Sequence, residues 1–244
     1  ADEFFLIDVT ASLYGMPFKF EYLKKYCKNI TVPITISGGL RSFEDVEKAF
    51  QSGADKVALN TYLFDDVKIL NKISQVYGSQ AITANLEVSK IGDNYKLYSE
   101  FGRERKNFLL NDWIKILIDN GIGEIVCSSI YNDGKINGAD YNILEVLSKI
   151  ESVPVVYSGG VKSMQEIEHI NKNFNIDGLL VGSLFHYNLL AEKKKNIKEF
   201  DNEIGNSDFL NDKNFFNKIN EKIDKEIQFN KERKNILIKN EKKL

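Results

Sequence analysis

Short apolar runs bounded by charge or by Gly, Pro and Asn alternate along this chain with segments whose apolar positions recur at helical spacing. Glu3 to Asp8 (EFFLID) reads as a strand buried on both faces. A helix is predicted over Phe18 to Cys27, a strand over Ile34 to Ile36, and a helix capped by Ser42 and Asp45 running to Gln51 and ended by Gly53. Then come a strand at Val57 to Leu59, a helix at Asp65 to Tyr77 and a strand at Ile82 to Glu87. Lys90 to Phe101 breaks the rhythm with a hairpin turning at Gly92-Asp93-Asn94. Trp113 lies in a helix that reaches Asn120, where Gly121 stops it. Beyond it follow a strand at Glu124 to Ser128, a helix at Asn142 to Ile150, a strand at Val155 to Tyr157, a helix at Met164 to Asn173 capped by Ser163, and a strand at Leu179 to Val181. About seven strands in alternation with helices predict a parallel sheet, one short of a closed (β/α)8 barrel.

The chain also repeats itself. Pro33 to Ser42 (PITISGGLRS) and Pro154 to Ser163 (PVVYSGGVKS) share proline, a short β-branched strand, Ser-Gly-Gly, a basic residue and serine. Each is followed by a helical segment and a second strand, ending at Ala54 to Asn60 and at Ile176 to Gly182. Two copies of one strand-loop-helix-strand unit predict an internally duplicated barrel over residues 1–187. From Asn188 the composition shifts to Lys, Asn, Glu and Asp, which predicts a helical C-terminal extension over 188–244. Phe215 to Phe229 has the spacing of a polar surface helix, with a partly disordered end.

Composition excludes more than it assigns. At 244 residues with a formal net charge of -2, nothing points to nucleic acid or an anionic membrane surface. Two cysteines, Cys27 and Cys127, lie far apart without metal-ligand spacing, so no disulfide framework and no metal or other cofactor is expected, which suits a cytoplasmic protein. No apolar stretch approaches membrane-spanning length.

The repeated glycines carry the first chemical expectation. A Gly-Gly pair after a buried strand lets backbone N–H groups approach an anion, and a following helix start adds positive dipole. Ser158, Gly159 and Gly160 with Gly182 and Ser183 fall where barrels commonly hold a phosphate. Gly38 and Gly39 with Asn60 and Thr61 make the matching site in the first half. Two such sites across one mouth predict an elongated ligand with a phosphate at each end; the simpler reading is that the glycines only permit tight turns.

FFLIDVTAS at Phe4 to Ser12, PITISGGLRS, GADKVALNT at Gly53 to Thr61, GSQA at Gly78 to Ala81, GEIVCSSIYNDG at Gly123 to Gly134 and VVYSGGVKS through VGSLFH resemble the cyclase subunit of imidazole glycerol phosphate synthase, the HisF family. The order and spacing hold to about His186. The resemblance implies a half-barrel duplication and a glutaminase (HisH-type) partner that supplies ammonia. It also implies a bisphosphorylated ribulosyl substrate that is split and cyclised in histidine biosynthesis.

It further implies two catalytic aspartates, at the ends of the first and fifth strands. Glu87 stands at the fifth-strand position, one methylene longer. The first strand and helix of the family are expected before Ala1, so the strand at Glu3 is the family's second, and Asp8, which matches its mouth-facing aspartate, is the catalytic candidate beside Glu87. Asp8 otherwise reads as a strand-end cap. Ser128, Asp133 and Gly134 match the mouth and its second phosphate site, although Tyr131-Asn132 replaces a more usual Asp-Arg pair; Asp140 matches a family acid or is a solvated turn residue. At the opposite face Glu3, Lys56 and Glu124 match a charged ring that gates ammonia, and Asp55 and Gln80 match the glutaminase-docking face. Ordinary polar residues of the bottom rim are the alternative for these five. His169, His186, Cys27, Cys127 and Trp113 read as structural.

Three readings stay open: the cyclase, a diverged paralogue that serves amidotransfer in surface-sugar biosynthesis, and a non-catalytic or truncated barrel that binds a partner. Asn235 to Lys239 (NILIK) is a candidate to fill the place of the first strand, in which case Leu237 would stand near the place of the aspartate. Truncation of a longer protein is the alternative.

Overall fold

The computed structural model describes residues 1–27, 30–92 and 94–186. The extension expected over 188–244, including the segments at 215–229 and 235–239, lies outside the described residues.

The predicted alternation forms one parallel sheet. Strands β1 (Phe4–Ile7), β2 (Ile34–Ser37), β3 (Lys56–Leu59), β4 (Ile82–Ile91), β7 (Glu124–Ser129), β8 (Val155–Ser158) and β9 (Gly178–Leu180) pair in that order as a nearly closed barrel of the (β/α)8 type. Between β4 and β7 the chain leaves the barrel as an antiparallel excursion, β5 (Asn94–Ser99) on β4 and β6 (Glu104–Leu109) on β5. The turn between Ile91 and Asn94 is where the sequence predicts it, and β6 is an addition to the expected hairpin.

Helices α1 (Val9–Leu13), α2 (Phe20–Tyr26), α3 (Phe43–Gln51), α4 (Thr61–Asp65), α5 (Ile69–Tyr77), α6 (Leu110–Asp119), α7 (Tyr141–Leu147) and α8 (Met164–Asn173) connect the strands. The two copies of the repeat start their helices alike. Ser42 Oγ accepts from Asp45 N–H at 3.1 Å while the Asp45 carboxylate reaches back to Arg41 N–H at 3.1 Å. Ser163 Oγ accepts from Glu166 N–H at 3.1 Å, and Glu166 reaches back to Lys162 N–H at 2.8 Å. In each, the serine satisfies an N–H that the helix start leaves open, and the acid of the first turn holds the backbone N–H one residue before the cap, a variant of the capping box. The helix expected over Asp65 to Tyr77 is instead two, α4 and α5. Asp66 turns the chain between them, its Oδ1 accepting from Lys68 N–H at 3.1 Å, an Asp side chain competing with helical backbone bonding.

Period-two alternation divides β2, β3, β4, β7 and β8. Ile34, Ile36, Val57, Leu59, Ile82, Ala84, Leu86, Val88, Ile125, Cys127, Val155 and Tyr157 belong to the buried apolar core between sheet and helices. The alternate positions, Thr35, Ser37, Lys56, Ala58, Thr83, Asn85, Glu87, Glu124, Val126, Ser128, Val156 and Ser158, share the other side of the sheet and are mostly polar, with Ala58, Val126 and Val156 as the exceptions. No described helix is long and apolar enough to cross a membrane.

Candidate active site

At the N-terminal ends of the strands Lys56 Nζ lies 2.8 Å from a carboxylate oxygen of Glu3 and 2.8 Å from one of Glu124. The remaining oxygens are also engaged: Thr35 Oγ1 donates to Glu3, and Thr83 Oγ1 donates to Glu124 at 2.8 Å. The network therefore joins residues of β2, β3, β4 and β7 with Glu3, just ahead of β1. Burial alone would lower the Lys56 pKa; the hydrogen bonds and charges of Glu124 and Glu3 outweigh it and raise it.

At the opposite end Glu87, Ser128, Ser158 and Leu180 stand in register across β4, β7, β8 and β9. Glu87 is buried at 8 % exposure, and one carboxylate oxygen accepts from Gly102 N–H at 2.9 Å. Burial raises its pKa from 4.5 to about 7; the bonds from Gly102 N–H and the Asn60 side chain counteract this, and the negative charges of Asp133 and Glu100 add to it. A buried carboxyl poised near neutrality is chemically suited to give or take a proton. Two amide oxygens on the same side of the sheet, Asn60 Oδ1 and Asn85 Oδ1, are buried with no hydrogen-bond partner among the described residues.

The glycine pairs occupy equivalent places. Gly38 and Gly39 have φ of 96° and 71°, Gly159 and Gly160 118° and 77°. A Cβ on Gly38 would lie 2.2 Å from Asp8 O, and one on Gly159 2.8 Å from Ser129 O, so in both halves the backbone at the end of the preceding strand excludes a side chain. Gly160 is further covered by the loop after β7: its carbonyl accepts from Gly138 N–H at 2.8 Å, and Asn132 Nδ2 donates to Gly138 O at 2.7 Å.

Comparison with known proteins decides the family. The family model described as "Histidine biosynthesis protein" matches residues 1–191. Among curated relatives, the imidazole glycerol phosphate synthase subunit HisF of Dictyoglomus thermophilum is 34 % identical over 202 residues, 82 % of this chain and 80 % of that one. The subunits of the same name from Natranaerobius thermophilus and Chlorobium phaeobacteroides are 30 % identical over 194 residues (80 % and 77 % of the chains) and 33 % over 204 (82 % and 80 %). The chain belongs to the HisF family.

Several expected residues of this HisF-family chain have a partner that the sequence does not reveal. Asp8 is a cap: its Oδ1 accepts from Thr10 N–H (3.0 Å), Thr10 Oγ1 (2.8 Å) and Ala11 N–H (3.0 Å) at the start of α1. Asp55 Oδ2 accepts from Ile34 N–H at 2.8 Å, and its repeat twin Asp177 does the same for Val155 at 2.7 Å, so each holds the start of a strand. Gln80 is exposed and donates weakly to Tyr77 O at 3.4 Å. Asp133 and Gly134 are exposed on the loop after β7, and Thr61 Oγ1 accepts from Glu100 N–H at 3.2 Å. Gly182 O accepts from His186 N–H at 3.0 Å just ahead of Ser183.

Three further residues, Tyr95, Tyr157 and Glu166, escape sequence reasoning, and two of them meet at Asp140. Asp140 is no solvated turn residue: it caps α7, accepting from Ile143 N–H at 3.3 Å, and accepts from Tyr95 Oη at 2.9 Å. Tyr157 Oη accepts from Asp140 N–H at 2.8 Å and donates to Gly159 O at 2.7 Å, tying this cap to the second glycine pair. Burial raises the pKa of both tyrosines, and that of Cys127, which is fully buried as expected for a core residue. Glu166 accepts from Ala139 N–H and Tyr141 Oη, each at 3.1 Å, besides Lys162 N–H. Only Glu166 had a signal, the Ser-x-x-Glu spacing with Ser163; the tyrosines meet Asp140 across 45 and 17 residues of sequence.

Proposed function

We propose that this chain is a synthase subunit of the imidazole glycerol phosphate type. It takes ammonia from a glutaminase partner at the Glu3–Lys56–Glu124 network and delivers it along the polar side of the sheet to a bisphosphorylated ribulosyl substrate. The glycine pairs Gly38-Gly39 and Gly159-Gly160, with Asn60, Thr61, Ser128, Asp133, Gly134, Ser158, Gly182 and Ser183, hold the two phosphates. Glu87 moves the proton. The observation that carries this reading is Glu87: a buried carboxyl with a pKa raised to about 7, in register with Ser128 and Ser158 between the twin loops. Its support from relatedness is that the similar proteins are imidazole glycerol phosphate synthase subunits HisF.

Asp55 and Gln80 form part of the docking face for the glutaminase, and Asp55 keeps its strand-start bond while it does so. A single carboxylate has a second oxygen to offer. A second reading, amidotransfer in surface-sugar biosynthesis by a diverged member of the family, is favoured by the longer Glu87 and by the engagement of Asp8 in the α1 cap.

The test is turnover of the bisphosphorylated intermediate by the full chain with ammonium salt as nitrogen donor. Cyclised product that is lost in Glu87→Gln supports the first reading. Substrate binding without product, in wild type at saturating ammonium, favours the second.

A further inference from the structure

The excursion β5–β6 folds back onto the mouth in an unusual way. At its tip Glu100, Phe101 and Gly102 all have positive φ, 51°, 56° and 72°. Two consecutive non-glycine residues in the left-handed region persist only where surrounding contacts over-determine them.

Those contacts are on the page. Glu100 N–H donates to Thr61 Oγ1 at the start of α4, and Arg103 N–H to Ser99 O at 3.1 Å. Ser99 is fully buried, and its Oγ donates to Glu104 at 3.2 Å. Lower down, Phe108 of β6 packs against Trp113 and Phe64 with ring centroids 4.7 and 6.1 Å apart. A Cβ on Gly102 would lie 3.1 Å from Ile130 Cγ2, and Ile130 N–H is itself held by Val88 O at 2.9 Å. The product of this anchoring is one directed donor, Gly102 N–H, on the carboxylate of Glu87.

We propose that the Glu100–Phe101–Gly102 turn is a positioning element, whose Gly102 N–H orients the Glu87 carboxylate at the barrel mouth. The Asn60 side chain also bonds Glu87, so the turn adds a second, backbone-held donor that restricts rotation about the extra methylene. The charged groups that face Glu87 are Glu100 on the turn itself and Asp133 on the loop after β7, both acids, so neither supplies the favourable contact that Gly102 does. A donor to the ionised form lowers a carboxyl pKa, so unseating the turn raises it further. The catalytic consequence rests on the role proposed for Glu87 above; the coupling between turn and carboxyl does not.

Two measurements on the full chain test this. In Gly102→Ala, a Cβ at positive φ and against Ile130 displaces the turn. The titration midpoint of Glu87, followed by NMR on isotope-labelled glutamate, then rises by about one unit, a tenfold change in proton affinity. Turnover falls with KM unchanged, and Ile130→Ala in that background brings the midpoint back toward wild type. An unmoved midpoint overturns the proposal. The second measurement leaves the turn intact: hydrogen-exchange protection of the Gly102 amide falls about tenfold in Glu87→Ala and is kept in Glu87→Gln, whose amide oxygen still accepts. Equal protection in all three proteins overturns it too. If wild type makes no cyclised product, the function proposed above fails, while the titration and exchange results still decide the positioning role.

Discussion

Glu87 makes the stability of this protein depend on pH with an unusual sign. Below about pH 4 its carboxyl is protonated in folded and unfolded chains alike, and burial costs little. Between 4.5 and about 7 the unfolded chain has released its proton while the folded one keeps it, so the folded state binds more protons and stability falls as pH rises. Above about 7 both are ionised and the penalty is constant. A rise from 4.5 to about 7 corresponds to about 3 kcal/mol at 1.36 kcal/mol per unit. The group is nearly inaccessible to water, so screening takes little from this figure. Glu87→Gln keeps the shape and the acceptor for Gly102 N–H but cannot ionise. Urea unfolding of both proteins across this range should show the variant gaining about 3 kcal/mol on wild type between the acid and the alkaline limit. A difference that stays constant with pH would refute the buried, high-pKa carboxyl.

Other expectations follow from the same geometry. Lys56→Met leaves Glu3 and Glu124 facing each other without a cation; the partial exposure of the site scales the usual cost of a broken buried pair down to about 2 kcal/mol in urea unfolding, and adding Glu3→Gln and Glu124→Gln recovers most of it. Asp55→Ala and Asp177→Ala each strand one backbone N–H and should cost similar amounts, about 1 to 2 kcal/mol, because they are twins. Glu166→Ala removes the acceptor of Lys162 N–H, Ala139 N–H and Tyr141 Oη together; thermal and urea unfolding should show a loss of about 3 kcal/mol, well above that of its half-buried counterpart Asp45→Ala, which accepts only from Arg41 N–H.

Alternation and capping were legible in the chain because they are local. The Ser42 and Ser163 caps and the strands around Ile36, Val57 and Val126 are dictated within a few residues, and the repeat of PITISGG as PVVYSGG exposes the duplication directly. Strand β6 was not legible, since ERKNFL lacks alternation and becomes a strand only by pairing with β5. Nor was Gly102, a lone glycine in a polar stretch whose importance depends on a carboxylate 15 residues earlier. The charged ring was legible through family resemblance, but its geometry depends on Thr35 and Thr83, which nothing in the sequence marks as partners of Glu3 and Glu124.

The division of the strands from β2 to β8 of the barrel into an apolar and a largely polar side gives the two sets of positions separate duties. Substitutions at Ile36, Leu59 or Leu86 are judged by volume and shape against the helices. Ser37, Ala58 and Asn85, one residue away, face the other side of the sheet, away from the helices. Adjacent codons therefore answer to different selection, and the polar positions can change while the scaffold that carries them remains intact. A library randomised only at the polar positions should retain folded members at a much higher frequency than one randomised at their apolar neighbours.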